Sequence, residues 1–292
     1  MFSWPRTTLE ICAVAQEGRS GCQESSWWIS PCTTWIVARV GRSSCCTAIL
    51  QTRSCGPLRS RRSRRTTVIV PDLWGHGSSG PLPKGTEGLA ALTRQLQQLL
   101  DSLEVERYVL VGQSIGGMLA AELASISPAR AEGVVLIGTH LGAEPAGPQA
   151  YFLDMLDRLE ASGAFSPALL DEAVSLFFRG SASTTASLKA SFRKQLSSRS
   201  AEALRESIIP IGRMIFQRVD RRSLLDGLAA ASTLVMCGEH DSVRPPSESR
   251  EMAERIGCRY VEVPDASHTS NLEQPEFVTQ ALLSFLAKLD RR

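Results

Sequence analysis

The sequence predicts an α/β fold: a mostly parallel, doubly wound sheet with an inserted helical cap. From residue 67 onward, short β-branched apolar runs alternate with amphipathic helical patterns. Each apolar run breaks into a polar loop, which is typical of a buried strand that reaches the carboxyl edge of a sheet. Between residues 143 and 205 the alternation stops and only helical patterns occur. We therefore expect a helical unit inserted between two strands of one sheet.

The predicted strands follow one another in a regular order. The first apolar run, Val68-Ile69-Val70, leads into the loop PDLWGHGSSG. Four later runs of the same kind lie in the segments YVLVGQ, GVVLIGT, STLVMCGEHD and CRYVEVPDASH. Because the intervening connections are long and carry helical patterns, we expect these strands to be parallel.

The predicted helices carry apolar stripes. After the first strand, leucines three and four residues apart form one stripe: Leu89, Leu92, Leu96, Leu99 and Leu103. The last helix is expected to begin near Pro275, because the fixed φ of proline suits a first helical turn. One face of that helix would carry Val278, Leu282, Phe285 and Leu289.

These patterns divide the chain into four parts. Residues 1–66 form an anomalous segment, and residues 67–142 form the first part of the core. The cap spans residues 143–205, and residues 206–292 complete the core. The cap would cover the carboxyl edge of the sheet, where open α/β sheets bind their ligands.

Composition argues against several classes of partner. The formal net charge is +2, which gives no reason to expect a nucleic acid. No apolar stretch approaches the ~20 residues of a membrane helix, and the first 18 residues lack a signal-peptide pattern. We expect a cytoplasmic monomer or homodimer that acts on a small molecule, with no membrane partner. The spacing of the cysteines is unlike that of a zinc site, so no metal is expected.

The nucleophile is predicted in the pentapeptide Gly112-Gln113-Ser114-Ile115-Gly116, which lies between an apolar run and an Ala-rich helical pattern. A Ser on a sharp strand-to-helix turn is exposed near a helix N-terminus, and the glycines let the turn fold tightly. The amide of Ile115 could then donate to a developing oxyanion. Gln113 and His76 are the other residues expected to line the oxyanion and substrate site.

A serine hydroxyl needs a base, and the base needs a carboxylate to hold its tautomer. Of the four histidines, His268 follows the last predicted strand, and we take it as the base. Two others are assigned elsewhere: His140 to a structural or pocket-lining role, and His240 to a neighbour of a better candidate. That candidate is Asp241, which follows the strand Leu234–Cys237 and is favoured as the acid over Glu239.

Four motifs now resemble those of the α/β-hydrolase superfamily: PDLWGHGSS, LVGQSIGG, CGEHDSVRPP and ASHTSNLEQPEFV. They occur in the expected order and cover residues 67 to 290. The last motif, taken with GQSIGGM, is similar to 3-oxoadipate enol-lactonases and small carboxylesterases. The resemblance implies an α/β-hydrolase fold and cofactor-free hydrolysis of an ester or lactone through an acyl-enzyme on Ser114.

Other functions fit the same motifs. A C–C bond hydrolase, or a perhydrolase or haloperoxidase-like activity, would use the same three residues. A lipid substrate is suggested by the apolar VSLFF in the cap, although a core-packed helix face explains it better. A non-catalytic receptor is a further alternative, since this fold also serves as a binder. The intact set of Ser114, Asp241 and His268 favours an enzyme.

Residues 1–65 depart from the resemblance. Residues 1–66 hold ten Arg and three Glu but no Lys or Asp, and six of the eight cysteines occur in the first 55 residues. The family has a strand and an oxyanion loop beginning His-Gly before the first strand predicted here. By subtraction that strand should end near residue 45, where GRSSCCTAIL stands at 41–50.

The genetic code suggests a reason. Read two bases later, the codons of Cys45 and Cys46 give Leu, and those of Cys46 and Thr47 give His or Tyr. The next shifted codon, from Thr47 and Ala48, gives Gly, Arg, Cys or Ser. Our hypothesis is that part of residues 1–65 is out of frame, the alternative being a divergent extension. The printed chain would then lack a central strand and an oxyanion donor, fold poorly and be weakly active or inactive.

Overall fold

A computed structural model describes residues 11–12, 34–39, 66–77, 79–179 and 183–291 of the chain. The segment GRSSCCTAIL lies outside the described residues, and so does most of the region to which the frame hypothesis refers.

The described strands form one seven-stranded sheet in the order β1-β3-β2-β4-β5-β6-β7. Strands β4 to β7 pair in parallel, and β3 has the same direction because both β3 and β4 are antiparallel to β2. The expected mostly parallel sheet is therefore confirmed. The strands are β1 Ile11–Cys12, β2 Thr34–Arg39, β3 Thr66–Ile69, β4 Arg107–Gln113, β5 Ala131–Ile137, β6 Thr233–Gly238 and β7 Arg259–Val263.

The position between β3 and β4, which we expected to be empty, is occupied by β2. Our prediction that the printed chain lacks a central strand is therefore wrong. The direction of β2 is opposite to that of its neighbours: Thr34 lies beside Gly112, and Arg39 lies beside Arg107 at the amino-terminal end of β4. The last residue of β2, Arg39, thus lies at the end of the sheet away from Ser114, whereas a parallel strand in this position would end on the side of Ser114.

Helices cover both faces of the sheet, as a doubly wound fold requires. One face packs against α1 (Gly88–Ser102), α2 (Ile115–Ile126) and α8 (Pro246–Ile256). The opposite face packs against α10 (Pro275–Leu289), which begins at the proline that the sequence marks. The two faces follow from the alternation along β4: Leu110 belongs to the first core cluster and Val111 to the second.

The leucine stripe predicted after the first strand lies on α1. Its central members Leu92, Leu96 and Leu99 are buried, and Leu89 and Leu103 pack at the margin of the first cluster. An amphipathic helix is stabilised mainly by burying such a stripe, each leucine contributing about 2 kcal/mol. Among the described residues, no helix is both long and apolar enough to cross a bilayer.

Between β5 and β6 the chain is helical, and we call residues 146–216 the helical insert. It contains α3 (Ala146–Ser162), α4 (Pro167–Phe177) and α5 (Ser183–Ser197). A continuous run follows: α6 (Ala201–Ala203), a π-helical turn (Leu204–Ile208) and α7 (Ile209–Phe216). The boundary placed at residue 205 falls inside this run, because the helical pattern continues for another eleven residues. Short 3-10 turns at Arg222–Gly227 and Ala230–Ser232 lead back to the sheet.

Candidate active site

Ser114 occupies a sharp turn between the end of β4 and the start of α2. Its φ of 53° and ψ of −123° lie in a region that L-residues rarely adopt. The spacing of the glycines has a direct cause here, because a Cβ on Gly112 would lie 2.1 Å from the carbonyl oxygen of Gly116. The predicted strand, turn and helix around the candidate nucleophile are therefore present.

Two contacts from the end of β5 hold this turn in place. The amide of Ser114 donates to the carbonyl of Ile137 at 2.9 Å. The hydroxyl of Thr139 donates to the Ser114 carbonyl at 2.7 Å. A Cβ on Gly117 would lie 2.5 Å from the methyl group of Thr139, so that glycine is also required. Sequence reasoning missed Thr139; the only available signal is its position directly after a predicted strand.

The amide of Ile115, which we predict to be an oxyanion donor, lies at the start of α2. Ile115 is the first residue of α2, and the first N–H groups of a helix have no acceptor within it. The amides of Gly117 and Met118 donate back to the Ser114 carbonyl, at 3.0 and 3.3 Å. The positive end of the helix dipole adds to the attraction for a negative oxygen beside Ser114.

Asp241 and His268 form a buried pair at the same edge of the sheet. The Nδ1 atom of His268 lies 2.9 Å from Oδ2 of Asp241, and neither side chain is exposed to solvent. The second carboxylate oxygen of Asp241 accepts the amides of Val243 at 2.9 Å and Arg244 at 2.8 Å. Both oxygens of the carboxylate are thus held, which fixes the position of the acceptor beside Nδ1 of His268.

The close packing of this pair depends on Gly138, which follows β5 with φ +49°. A Cβ at this position would lie 3.0 Å from Oδ2 of Asp241 and 3.6 Å from Nδ1 of His268. The sequence offered no separate signal for this glycine.

The rival acid Glu239 is exposed, and its carboxylate accepts the amide of Asp265 at 3.2 Å. Asp265 is an exposed turn residue with φ +50°. Neither carboxylate is paired with His268, whereas that of Asp241 is.

The side-chain amide of Gln113 donates to the backbone carbonyl of His268 at 2.6 Å, and Gln113 is buried. This contact joins the residue before the nucleophile to the loop that carries the base. The amide of Gln113 thus holds that loop, and our expectation that the residue also lines the substrate site stays a prediction. The outer ring nitrogen of His268, Nε2, is buried and has no hydrogen-bond partner among the described residues. Among the residues that the structure describes, no hydrogen bond joins Ser114 to His268.

His76 lies in the loop after β3, under the helical insert. Its Nδ1 lies 3.0 Å from the carbonyl of Trp74, and burial lowers the pKa of the ring from its ordinary value. Arg199 of the insert donates to the carbonyl of Gly75 at 2.6 Å, which joins this loop to the insert. No hydrogen bond or ring contact links His76 to Ser114 or His268 in the described residues.

His140 and His240 have no hydrogen bond with Asp241 or His268 among the described residues. His140 is buried, and its pKa is lowered to about 4 by burial, with the nearby charges of Arg218 and Arg244 adding to the effect. His240 is exposed.

Comparisons with known proteins identify the family of the chain. A model of the alpha/beta hydrolase family matches residues 49–281. The chain is 31% identical to a dihydrolipoyllysine-residue acetyltransferase component of the acetoin cleaving system of Pseudomonas putida, over 76% of this chain. It spans 56% of the length of that relative.

Two solved structures share the fold. A thermophilic esterase from Thermogutta terrifontis gives a TM-score of 0.65 at 28% identity, covering 76% of this chain and 80% of the esterase. The enol-lactonase from Burkholderia xenovorans LB400 gives a TM-score of 0.63 at 26% identity, with 77% and 82% covered. The resemblance seen in the motifs is thereby confirmed, and the chain belongs to the alpha/beta hydrolase family.

Proposed function

We propose that the protein is a serine hydrolase that cleaves a carboxylic ester or lactone of a small molecule. The observation that carries the proposal is the buried hydrogen bond of 2.9 Å between Asp241 and His268, at the same sheet edge as the strained turn of Ser114. The esterase and the enol-lactonase with which the chain shares its fold support an ester or lactone as substrate.

In the proposed first half-reaction, Oγ of Ser114 attacks the carbonyl carbon while Nε2 of His268 takes the hydroxyl proton. The carbonyl oxygen becomes an oxyanion beside the amide of Ile115. When the tetrahedral intermediate collapses, the leaving oxygen takes the proton from His268. In the second half-reaction, water attacks the acyl carbonyl while Nε2 of His268 takes a proton from it. The proton then returns to Oγ of Ser114 as the acid is released.

Asp241 sets the tautomer of the base in this scheme. Its Oδ2 accepts from Nδ1 of His268, so the ring carries its proton on Nδ1 and presents a lone pair at Nε2. When Nε2 takes the proton from Ser114, the adjacent carboxylate stabilises the imidazolium. No step needs a metal ion or an organic cofactor.

The test uses the full chain and p-nitrophenyl acetate, with a fluorophosphonate as covalent probe. Ser114→Ala should abolish both turnover and labelling, and Asp241→Asn should lower kcat by about 10⁴-fold while the fold is kept. Ser175→Ala is the control, since that serine is exposed on the helical insert. Labelling of Ser114→Ala at the rate of the wild type would refute the proposal.

A panel of esters, lactones and β-diketones separates ester hydrolysis from C–C bond hydrolysis, and halide-dependent oxidation by peroxide tests the haloperoxidase alternative. We also propose that the protein acts in the cytoplasm on a freely diffusing substrate.

If the second oxyanion donor is absent from the printed chain, kcat should fall by about 10²–10³ relative to an in-frame chain. Expression of both versions tests this weakly active alternative.

A further inference from the structure

The last turn of α4, in the helical insert, ends against the loop that carries His268. Phe177 is the final residue of this helix, and the last carbonyls of a helix have no donor within it. Three polar groups of one loop lie within hydrogen-bond distance of the Phe177 carbonyl: the Thr269 hydroxyl at 3.0 Å, the Thr269 amide at 3.4 Å and the Ser267 hydroxyl at 2.8 Å. Both donor residues are immediate neighbours of His268 in the chain.

A contact in the opposite direction completes the junction. The amide of Arg179, just beyond the helix, donates to the Ser267 hydroxyl at 3.1 Å. Ser267 has one hydroxyl proton, and the carboxylate of Glu273 lies 2.5 Å away. A charged acceptor forms the stronger bond, so that proton is directed to Glu273. The Thr269 hydroxyl is then the principal donor to the Phe177 carbonyl.

The ring of Phe177 also contacts the base. Its centroid lies 5.2 Å from that of the His268 ring, at an interplanar angle of 65°, an edge-to-face arrangement. Its other neighbour is Phe192 of α5, at 5.2 Å. The imidazole of His268 is therefore packed against the insert on one side and bonded to Asp241 on the other. Ser267, His268 and Thr269 are all at most 1% exposed, so water cannot replace these contacts.

We infer that Thr269 and Phe177 are positioning residues for His268, so that the helical insert sets the orientation of the base as well as covering the site. This inference rests on the proposed function. The Asp241 hydrogen bond fixes one ring nitrogen but leaves the ring free to tilt about that bond. The ring of Phe177, and the hydrogen bonds from Thr269 to the Phe177 carbonyl, remove this freedom. They thereby keep Nε2 of His268 directed at Ser114.

The isosteric variant Thr269→Val removes only the hydroxyl donor, whereas Thr269→Ser keeps it. With p-nitrophenyl acetate, Thr269→Val should lower kcat by about 10- to 100-fold, because small displacements of a catalytic group are costly, while KM changes by less than about threefold. Thr269→Ser should stay within about threefold of wild type. Active sites are counted by fluorophosphonate titration, so a loss of folded protein does not enter kcat.

Ser166→Ala is the matched control, because Ser166 caps the other end of the same helix by accepting the Leu169 amide at 3.2 Å. It should lower stability without lowering kcat per titrated site. A second pair keeps the test open if Thr269→Val does not fold: Phe177→Leu should lower kcat, whereas Phe178→Leu should not. Phe178 packs on Phe192 but has no ring contact with His268 among the described residues.

The outcomes are distinguishable. If the wild type is labelled and active but Thr269→Val and Phe177→Leu keep its kcat, the inference is overturned and the proposed function stands. If the wild type is neither labelled nor active, the proposed function fails and the inference fails with it. An equal loss of kcat in Thr269→Val, Thr269→Ser and Ser166→Ala would also overturn it, because a general effect on the helix would then explain the result.

Discussion

His140 should make the stability of the protein sensitive to acid. The ring is 6% exposed, and neither of its nitrogens has a hydrogen-bond partner in the described part of the chain. Burial is the largest cause of its low pKa, and the charges of Arg218 and Arg244 act in the same direction. The carboxylate of Glu248, 3.9 Å from Nδ1, is too distant for a hydrogen bond, and burial raises its own pKa.

The sign and size of the effect follow from this pKa. In the unfolded chain the imidazole takes up a proton as pH falls through 6.5, whereas in the folded protein it stays neutral down to about 4. Between these values the unfolded state binds more protons, so the free energy of unfolding decreases as pH falls. At about 1.4 kcal/mol for each pH unit, the full loss is on the order of 3 kcal/mol.

The assay is urea denaturation at several pH values between 7 and 4, with His140→Leu as the variant. Leucine has a similar volume and cannot titrate, so the free energy of unfolding of His140→Leu should depend less on pH, by on the order of 3 kcal/mol over this interval. His240→Leu is the control, because His240 is exposed. Parallel curves for wild type and His140→Leu would show that the buried imidazole is not the acid-sensitive group.

Two further predictions concern the support of Asp241. Gly138→Ala should lower kcat by at least about tenfold and destabilise the fold by about 1–2 kcal/mol, because φ is +49° and the new Cβ would crowd the Asp241 carboxylate. Gly147→Ala, where a Cβ would meet no atom within 4 Å beyond its own helix backbone and chain neighbours, should leave kcat unchanged and should not destabilise the fold, and equal effects at the two glycines would contradict this reasoning. Glu144→Gln should destabilise the protein by about 3 kcal/mol in urea titration, because the side chain of Glu144 is 1% exposed and joins the buried Arg244 to a second buried arginine. An unchanged denaturation midpoint would show that the two arginines do not depend on its charge.

Local sequence patterns determined most of the fold and the three candidate catalytic residues. The alternation of apolar runs with helical stripes predicted β3 to β7, α1, α2 and α10 because each of these elements shows the period of its own backbone. The G-x-S-x-G motif predicted the turn at Ser114 because the turn brings the backbone at its two glycines so close together that a side chain on Gly112 would clash. The shift in composition predicted that the first 65 residues differ from the rest, and the hypothesis that part of them is out of frame stays a prediction that the coding DNA can test.

Contacts between distant residues were decided only by the tertiary structure. The sequence favoured Asp241 over Glu239, but only the structure shows the hydrogen bond between Asp241 and His268, which are 27 positions apart. The role of Gln113 in holding the loop of His268 depends on a hydrogen bond between residues 155 positions apart. Nothing local to either residue encodes its partner, because the partner is brought there by the register of strands β4 to β7.

The direction of the central strand β2 and the packing around His268 were also decided only by the tertiary structure. A six-residue segment can pair in either direction, so only the assembled sheet decided that β2 fills the central position antiparallel to its neighbours. The contacts of Thr269 and Phe177 around His268 likewise arise where the insert meets the core. The sequence by itself thus determined which groups could carry out the chemistry. The tertiary structure decided which side chains hold those groups in place, because that depends on distances between elements that no local pattern records.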